Sequence, residues 1–239
     1  MIKIAHLYYD LMNLYGESGN IKALCQELKN QGIKYKLDKL TINNSIDFSK
    51  YDFIYIGSGT NYNQELVYKD LEKYKEEIKT AIEENKCFLL TGNALELLGC
   101  KAIGDKKNGL EIFDYCCYPQ EKRIVSEVVG YFSKIKTPII GFQNRDSKIE
   151  FSDSPLFDMS RGVGFDNQNK NEGFNYKNVM CTYIIGPLLV RNPEFLKYII
   201  QNLLLAKKQN KKLKSFDLKI EQKAYDSYVK NYNLFSEEK

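Results

Sequence analysis

Two glycine-containing turns are the first residues in this sequence that could do chemistry. Gly57-Ser58-Gly59 and Gly92-Asn93 each follow a short apolar run that is typical of a buried strand. In an open α/β sheet, the turns after neighbouring strands lie where ligands bind, and their backbone N–H groups attract anions. The turns therefore predict an anion or oxyanion pocket, although glycines that merely permit tight turns are the simpler interpretation. The sequence contains neither a complete GxGxxG motif nor a P-loop, so a nucleotide site of either type is not supported.

The second turn has the layout of a nucleophile elbow, in which a buried strand ends at a sharp turn and a helix begins. Residues 88 to 99 are FLLTGNALELLG, and no Ser, Cys or Asp stands at the turn. The chain has one histidine, His6, which falls in the first predicted strand and is interpreted as a structural residue. The sequence thus has an elbow without an evident nucleophile or base.

Six cysteines are spread over the predicted helices and strands, and no two of them have CxxC spacing. This pattern indicates neither a disulfide framework nor a zinc site, so all six are predicted to be reduced core residues. No metal or other cofactor is expected. The cysteines are Cys25, Cys87, Cys100, Cys116, Cys117 and Cys181.

Strands and helices alternate along the chain and must position these turns. Such alternation predicts an α/β fold with a mostly parallel sheet and helices on both faces. Apolar runs predict a first strand over residues 2 to 9, a central strand before Gly57 and a buried strand before Gly92. Helices are predicted over about residues 63 to 84 and from Pro193 onward. The remaining predicted elements are an edge strand at IKYKL, strands at RIVSEVVGYF, TPIIGFQN and VMCTYIIG, and a last helix near residues 217 to 233.

The charge and hydropathy of the chain argue against a nucleic-acid partner and against insertion in a membrane. The net charge of +4 is the balance of 35 basic and 31 acidic residues and gives little support to a nucleic-acid partner. The basic cluster Lys207 to Lys214 is interpreted as the solvated end of a helix, with a phosphate-binding patch as the alternative. Apolar runs are shorter than the ~18 residues of a membrane helix, and the N-terminus lacks the apolar stretch of a signal peptide. A cytoplasmic protein without membrane insertion is predicted.

Six blocks occur together in the order and spacing of a known family: LYYDLMNLYGESGNIKAL, IYIGSGTNYNQ, LLTGNALELLG, EIFDYCCYPQEKRIVSE, IIGFQNRD and YKNVMCTYIIGPLLVRNP. The chain resembles the class I glutamine amidotransferases related to cobyric acid synthase and, within them, the glutaminase subunits of lipid II isoglutaminyl synthase. The resemblance covers about residues 1 to 205 and implies a three-layer, flavodoxin-like α/β domain there. Residues 206 to 239, with the last predicted helix, are expected to form a helical extension packed on that domain. It also implies a Mur-ligase-like, ATP-dependent synthetase as partner, which amidates the glutamate of the peptidoglycan stem peptide.

The catalytic cysteine and histidine positions of that family hold other residues in this chain. The family has about Cys-Gly-Gly-Tyr-Gln-Leu-Leu-Gly at the elbow, which aligns its nucleophile with Gly92. Its Gly-Thr-Tyr-Leu-His-Gly-Pro segment aligns the histidine with Ile185. Hydrolysis of glutamine in the family needs a thiolate that attacks the amide and an imidazole that moves the proton. The resemblance therefore implies that both halves of the dyad are absent.

Residues around the family's glutamine site are only partly kept. Its Gly-Gly-Gly-Gln-Asp-Arg-Glu-Gln turn, which helps to form the oxyanion hole, is Gly57-Ser58-Gly59-Thr60-Asn61-Tyr62-Asn63-Gln64 here. Arg123 stands at the position of an arginine tied to glutamine binding, and an exposed strand charge is an equally weighted alternative. A further family histidine is replaced by Arg145. The predicted ligand-binding residues are Gly57, Ser58, Gly59, Asn93 and Arg123.

These features predict a degenerate, non-hydrolysing amidotransferase-like subunit that binds a synthetase. In that hypothesis the synthetase uses free ammonia or is regulated by the contact. Two alternatives stay open: an active glutaminase or amidotransferase with an unrecognised nucleophile, and a module whose emptied pocket senses glutamine or a related amide. Ammonia release from glutamine would identify the first alternative, and saturable binding without turnover would identify the second.

Overall fold

A computed structural model of the chain describes residues 1–104, 106–150, 153–209, 212–216 and 218–236. The strands are β1 Ile2–Leu7, β2 Tyr35–Leu40, β3 Phe53–Ile56, β4 Cys87–Thr91, β5 Cys100–Ile103, β6 Lys106–Asn108, β7 Cys116–Tyr131, β8 Pro138–Glu150, β9 Phe157–Arg161, β10 Asn171–Glu172, β11 Phe174–Tyr176 and β12 Val179–Thr182. The α-helices are α1 Ser18–Asn30, α2 Asn61–Leu71, α3 Lys75–Glu83, α4 Leu188–Arg191, α5 Pro193–Ala206 and α6 Lys219–Ser236. Short 3-10 helices span Leu14–Gly16, Phe48–Lys50, Glu72–Tyr74 and Gly92–Leu97.

The first sheet has the order β11-β12-β4-β3-β1-β2, and its neighbouring strands are parallel except for β11 and β12. β3 and β4, which precede the two glycine turns, lie inside the sheet, and every residue of both strands is buried. Strands this apolar form where both faces of a parallel sheet are covered. β2 lies at the edge, as its alternation of lysines predicts. The mostly parallel α/β architecture expected from the sequence is confirmed.

Side chains of the first sheet alternate between two hydrophobic cores, one on each face. Ile54 and Ile56 of β3 belong to the core that contains residues of α2 and α3. Phe53 and Tyr55 of the same strand belong to the core that contains residues of α1 and α5. Because successive side chains of a strand point to opposite faces, an entirely apolar strand requires helices on both sides.

A second, mainly antiparallel sheet was not expected from the sequence. Its order is β10-β9-β7-β5-β6, with β8 paired to β7. β7 and β8 form a long antiparallel hairpin, and their register shifts between Pro119 and Ile124. The segments RIVSEVVGYF and TPIIGFQN are strands, as predicted, but they belong to this sheet. Phe132 connects it to α5, because its ring centroid lies 5.6 Å from that of Phe195.

The single helix predicted over residues 63 to 84 is wrong, because a 3-10 turn separates α2 from α3. Tyr74 at the end of that turn is buried. Its hydroxyl donates to Asn44 O at 3.1 Å and accepts from Ile46 N at 3.2 Å. Tyr74 at this turn thus bonds to backbone groups of the segment after β2.

The prediction that all six cysteines are reduced is wrong for two of them, because Cys100 and Cys116 form a disulfide. These residues open β5 and β7 and are direct partners in the parallel register of the two strands. Their Cα atoms are 4.5 Å apart. A separation of 16 residues along the chain gives no sign of this pairing, which depends on the register of the folded sheet. Cys25, Cys87, Cys117 and Cys181 are free and buried, as expected.

The chain after α5 contacts the body at several points. Lys214 N donates to Gln31 Oε1 at 2.8 Å, and Tyr225 Oη of α6 donates to Pro138 O at 2.7 Å. Lys207 in the basic cluster pairs with Asp52 at 2.9 Å. The predicted extension also includes residues 210, 211, 217 and 237 to 239, which lie outside the described part of the chain. Within the described residues, no helix combines the length and apolar character needed to span a membrane.

Candidate functional site

The turn after β4 has the order of strand, turn and helix that the sequence predicts. β4 ends at Thr91, and a 3-10 helix begins directly at Gly92. Gly92 has a φ of +62°, a left-handed conformation that glycine adopts without steric cost. A Cβ built on Gly92 would overlap Cβ and Oγ of Ser58 and would lie 3.1 Å from Ile185 Cγ2. The structure therefore brings Gly92, Ser58 and Ile185 into contact and leaves no room for a further side chain.

Asn93 is bonded to the other glycine turn. Its Oδ1 accepts a hydrogen bond from Gly59 N at 2.9 Å and one from Ser58 Oγ at 3.2 Å. Its Nδ2 donates to Gly59 O at 2.9 Å. The N–H of Gly59 is one of the groups predicted to bind an anion, and here a side-chain carboxamide of the chain itself already satisfies it.

Gly57 and Gly59 allow neighbouring segments to approach the first turn closely. A Cβ on Gly57 would lie 2.8 Å from Glu17 Cβ, and one on Gly59 would lie 2.9 Å from Leu11 O. Both distances are too short for ordinary van der Waals contact. The structural interpretation of these glycines, as residues that permit a tight turn, accounts for both positions.

A cleft of about 350 Å³ lies beside the two turns, near the lower end of the range for small-molecule sites. Four of the five predicted ligand-binding residues line it, and Gly57 does not. Neither Gly92 nor Ile185 is among the lining residues. The lining residues are Leu14, Tyr15, Ser58, Gly59, Thr60, Asn61, Asn93, Arg123, Asn144, Arg145 and Asp146.

Arg123 extends from β7 to the cleft, and half of its side chain is exposed. Its Nη1 donates to Asn144 Oδ1 at 2.9 Å, and its Nη2 pairs with Asp146 Oδ2 at 3.3 Å. Burial of Asp146 opposes its charge, but a hydrogen bond from Asn61 and the charges of Lys101 and Arg123 outweigh burial and lower the pKa of Asp146. The guanidinium is held at the cleft wall by these partners and still meets solvent.

Next to Asp146 lies a buried ion pair that sequence reasoning missed. Lys101 Nζ is 3.0 Å from Glu96 Oε2, and the two side chains are 8% and 1% exposed. Gln64 Nε2 donates to Glu96 Oε2 at 2.7 Å, and Tyr183 Oη donates to Glu96 Oε1 at 2.9 Å. These bonds satisfy a carboxylate that would be costly to bury alone. They also connect the elbow helix to α2, to β5 and to the segment after β12.

Arg145 is buried, although it lines the cleft. Its guanidinium Cζ lies 4.4 Å from the centroid of the Tyr183 ring. Nη1 donates to Ser147 O at 3.0 Å, and Nη2 donates to Gly164 O. The charge at this position therefore stabilises the contact between β8 and neighbouring loops through cation–π and backbone interactions.

Glu17 is a second residue of the site that the sequence analysis missed. It is fully buried; its Oε2 accepts from Tyr55 Oη at 2.9 Å and from Thr91 Oγ1, and its Oε1 accepts from Gly186 N at 3.2 Å. Burial raises the pKa of Glu17 to about 7, although these hydrogen bonds favour the ionised form. Glu17 therefore connects Thr91, the last residue before the elbow, to Gly186, the residue after Ile185. The block NLYGESGN contains this acid, but its partner Gly186 is 169 residues away in the sequence.

The four free cysteines have raised pKa values, because burial disfavours the thiolate. The pKa of Cys87 is raised to about 12 and that of Cys25 to about 11. Burial raises the pKa values of Cys117 and Cys181 well above the ordinary value. These thiols are protonated near neutral pH, so none of them has the setting of a catalytic nucleophile.

His6 lies in β1, as predicted, and is 2% exposed. Burial, with a smaller effect of the Lys39 charge, lowers its pKa to about 4. Its ring centroid is 5.4 Å from that of Tyr55, and His6 does not line the cleft. Among the described residues, no group of three or more His, Cys, Asp or Glu side chains could hold a metal ion.

Known proteins resemble the chain over most of its length. Residues 3–193 match the CobB/CobQ-like glutamine amidotransferase domain. The chain is 32% identical over 203 residues to the GatD subunit of the glutamine-hydrolysing lipid II isoglutaminyl synthase of Staphylococcus aureus. The aligned region covers 84% of this chain and 83% of that subunit. It is 30% identical over 213 residues to the subunit of the same name from Streptococcus pneumoniae, and this alignment covers 87% of this chain and 82% of the relative.

Solved structures resemble the chain in fold. A glutamine amidotransferase from Thermotoga maritima has a TM-score of 0.54 at 10% identity and covers 96% of this chain and 92% of its own. The glutaminase domain of Trypanosoma brucei CTPS has a TM-score of 0.51 at 9% identity and covers 90% of this chain and 97% of its own. The resemblance seen in the sequence is thereby confirmed, and the chain belongs to the family of CobB/CobQ-like glutamine amidotransferase domains.

Proposed function

We propose that this chain is a degenerate, non-hydrolysing glutamine amidotransferase-like subunit. It would serve an ATP-dependent, Mur-ligase-like synthetase that amidates a peptidoglycan precursor in the cytoplasm. The two relatives with 32% and 30% identity support this pathway, because both are named as subunits of lipid II isoglutaminyl synthase. Residues 1 to 205 would form the amidotransferase-like domain, with residues 206 to 239 as an extension packed on it.

The observation that carries the proposal is the filled space at Gly92. The sequence resemblance aligns the family's nucleophilic cysteine with this position. Ser58 stands in place of the middle glycine of the family's first turn, and its Cβ and Oγ occupy the volume that a Cβ on Gly92 would need. The side chain at the first turn thus occupies the space beside the second, and this packing supports the proposal that the elbow carries no nucleophile.

The position aligned with the catalytic histidine has also become part of the packing. Ile185 is 1% exposed, and its backbone N donates to Phe142 O at 2.9 Å. An aliphatic side chain has no group that accepts or returns a proton, so the general base of the family reaction is missing. His6 and the buried thiols do not replace the pair, for the reasons of burial and pKa given above.

In this proposal the chain contributes a folded surface to the synthetase, which takes ammonia from solution or is regulated by the contact. The cleft beside Arg123 favours one second candidate, a module that senses glutamine or a related amide. Arg123 is half exposed there and carries a charge suited to a carboxylate. Binding without turnover is the behaviour expected of that module.

The test is ammonia release from glutamine by the purified chain, beside two variants. Gly92→Cys/Ile185→His restores the aligned dyad, and Ser58→Gly/Gly92→Cys/Ile185→His also removes the overlap at the elbow. We expect no ammonia release by the wild type. Among the variants, Ser58→Gly/Gly92→Cys/Ile185→His should release more ammonia than Gly92→Cys/Ile185→His, because it also removes the overlap with Ser58. Release by the wild type that a thiol reagent abolishes would contradict the proposal and support an active enzyme.

Two further measurements examine the partner and the ligand. With the Mur-ligase-like synthetase of the same organism added, amidation should proceed from ammonium salts and not from glutamine. Calorimetry with glutamine should show no saturable binding for a pure scaffold. Saturable heat that Arg123→Ala removes would instead establish the sensor.

A further inference from the structure

The disulfide between Cys100 and Cys116 lies outside the cleft and has a pocket of its own. A surface pocket of about 550 Å³ is lined by both cysteines. Cys100 is 3% exposed, whereas Cys116, at the start of β7, is half-buried. Cys116 is therefore the more accessible of the two residues to a reagent in the pocket.

We propose that this disulfide is a site of thiol exchange, which a dithiol reductant opens and a disulfide oxidant closes. A thiolate of the dithiol attacks Cys116 Sγ and forms a mixed disulfide, while Cys100 leaves as a thiolate and takes up a proton. The second thiolate of the dithiol then attacks the dithiol's other sulfur, the one bonded to Cys116 Sγ. This step closes the dithiol into a cyclic disulfide and releases Cys116, which takes up a proton. Two electrons and two protons pass to the protein, and the dithiol becomes a disulfide.

The charge of the pocket selects the reductant. Glu111, Asp114 and Glu150 line it, and the described lining residues include no basic side chain. Coulomb repulsion from Asp114 and Glu150 opposes the thiolate of glutathione, which carries two carboxylates and one ammonium group besides the charged sulfur. The attacking thiolate of a dithiol without other charges, or of a dithiol protein with a neutral or basic face, meets a lower barrier.

The surrounding backbone is bonded independently of the bridge. Cys100 N donates to Tyr115 O at 3.0 Å, Leu110 N donates to Leu97 O at 2.8 Å, and Glu111 N donates to Gly99 O at 2.9 Å. The first bond joins β5 to the residue before β7, and the other two hold the connecting segment to the residues before β5 when the sulfurs separate. Opening and closing are therefore reversible in the folded chain.

Burial makes the exchange selective for one pair of sulfurs. Cys117 follows Cys116 directly but is 0% exposed, and burial raises its pKa well above the ordinary value. A thiol in that state is a poor nucleophile and does not compete for the bridge. Cys25, Cys87 and Cys181 are buried as well.

The experiment is thiol labelling of the full chain after treatment with glutathione disulfide and removal of the excess. Alkylation in denaturant should modify the four other cysteines and leave Cys100 and Cys116 unmodified. Brief treatment of the folded chain with dithiothreitol should then make both alkylatable, with the circular dichroism unchanged. Modification of all six cysteines before reduction, or resistance to dithiothreitol until urea unfolds the chain, would overturn the proposal.

Three variants test the route and the charge. In Cys100→Ser, Cys116 should be alkylated in the folded chain without reductant, whereas Cys100 in Cys116→Ser should stay protected. The double variant Asp114→Asn/Glu150→Gln should speed reduction by glutathione several-fold and reduction by dithiothreitol by a smaller factor. Equal labelling of the two single variants would contradict attack at Cys116, and an unchanged glutathione rate would contradict selection by charge.

Discussion

Alanine at position 92 tests whether Ser58 fills the elbow. Gly92 has a φ of +62°, and a side chain in this conformation costs about 1–2 kcal/mol. Its Cβ would also overlap Ser58, and extra atoms in a packed interior cost about 1–3 kcal/mol. We therefore expect Gly92→Ala to lower the free energy of unfolding by about 2–5 kcal/mol, measured by urea denaturation.

A double-mutant cycle separates the two contributions. Ser58→Gly removes the overlapping Ser58 atoms, so in that background Gly92→Ala should cost the conformational part, about 1–2 kcal/mol, with a small addition from the 3.1 Å approach to Ile185 Cγ2. The coupling energy between the two positions should therefore be about 1–3 kcal/mol. Ser58→Gly alone loses the 3.2 Å bond to Asn93, which lowers stability by about 1 kcal/mol.

Gly16→Ala is the matched control for backbone conformation. Gly16 has a φ of +75°, and a Cβ placed on it meets nothing within 4 Å. Its substitution should therefore cost the conformational part alone. Equal costs for Gly92→Ala and Gly16→Ala, or an additive cycle with Ser58→Gly, would refute the packing argument at the elbow.

Two further predictions concern buried titrating groups. The folded pKa of Glu17, about 7, lies above the ordinary 4.5, so its contribution to stability is complete below pH 4.5 and is lost as the pH rises through 7. Glu17→Gln should therefore flatten the fall of the unfolding free energy between these values in urea titrations, and an unchanged slope would contradict the burial of its charge. His6 behaves oppositely, because its pKa is lowered to about 4 and its contribution is lost as the pH falls from 6.5 through 4. Since it is the chain's one histidine, its imidazole NMR signal should show a midpoint near 4, and a midpoint near 6.5 would refute the account.

The strands that position the elbow could be predicted from the sequence because each has a clear local pattern. β3 and β4 are continuous apolar runs that end at glycine turns, and a parallel sheet covered on both faces needs such runs. Arg123 was predicted as a ligand-binding residue through the family resemblance. It lines the same cleft as Ser58, Gly59 and Asn93, and its binding of a ligand stays a prediction. Its spacing in the sequence would not have shown this.

Several of the missed contacts join segments that are distant in the sequence. Glu17 meets Gly186 across 169 residues, and Glu96 meets Tyr183 across 87. The disulfide depends on the parallel register of β5 and β7. The second sheet was missed because antiparallel hairpins and strands of a parallel sheet share the same local pattern of β-branched residues.

The bonds of Asn93 have a consequence for any free amide that enters the cleft. A carboxamide is the group that a glutaminase binds and cleaves, and Asn93 presents one to Gly59 from inside the chain. Because it is tethered, it competes at an effective concentration that a dissolved amino acid rarely matches. The fold thus holds the Asn93 carboxamide as a permanent intramolecular ligand of the Gly59 backbone, and an incoming substrate would first have to displace it.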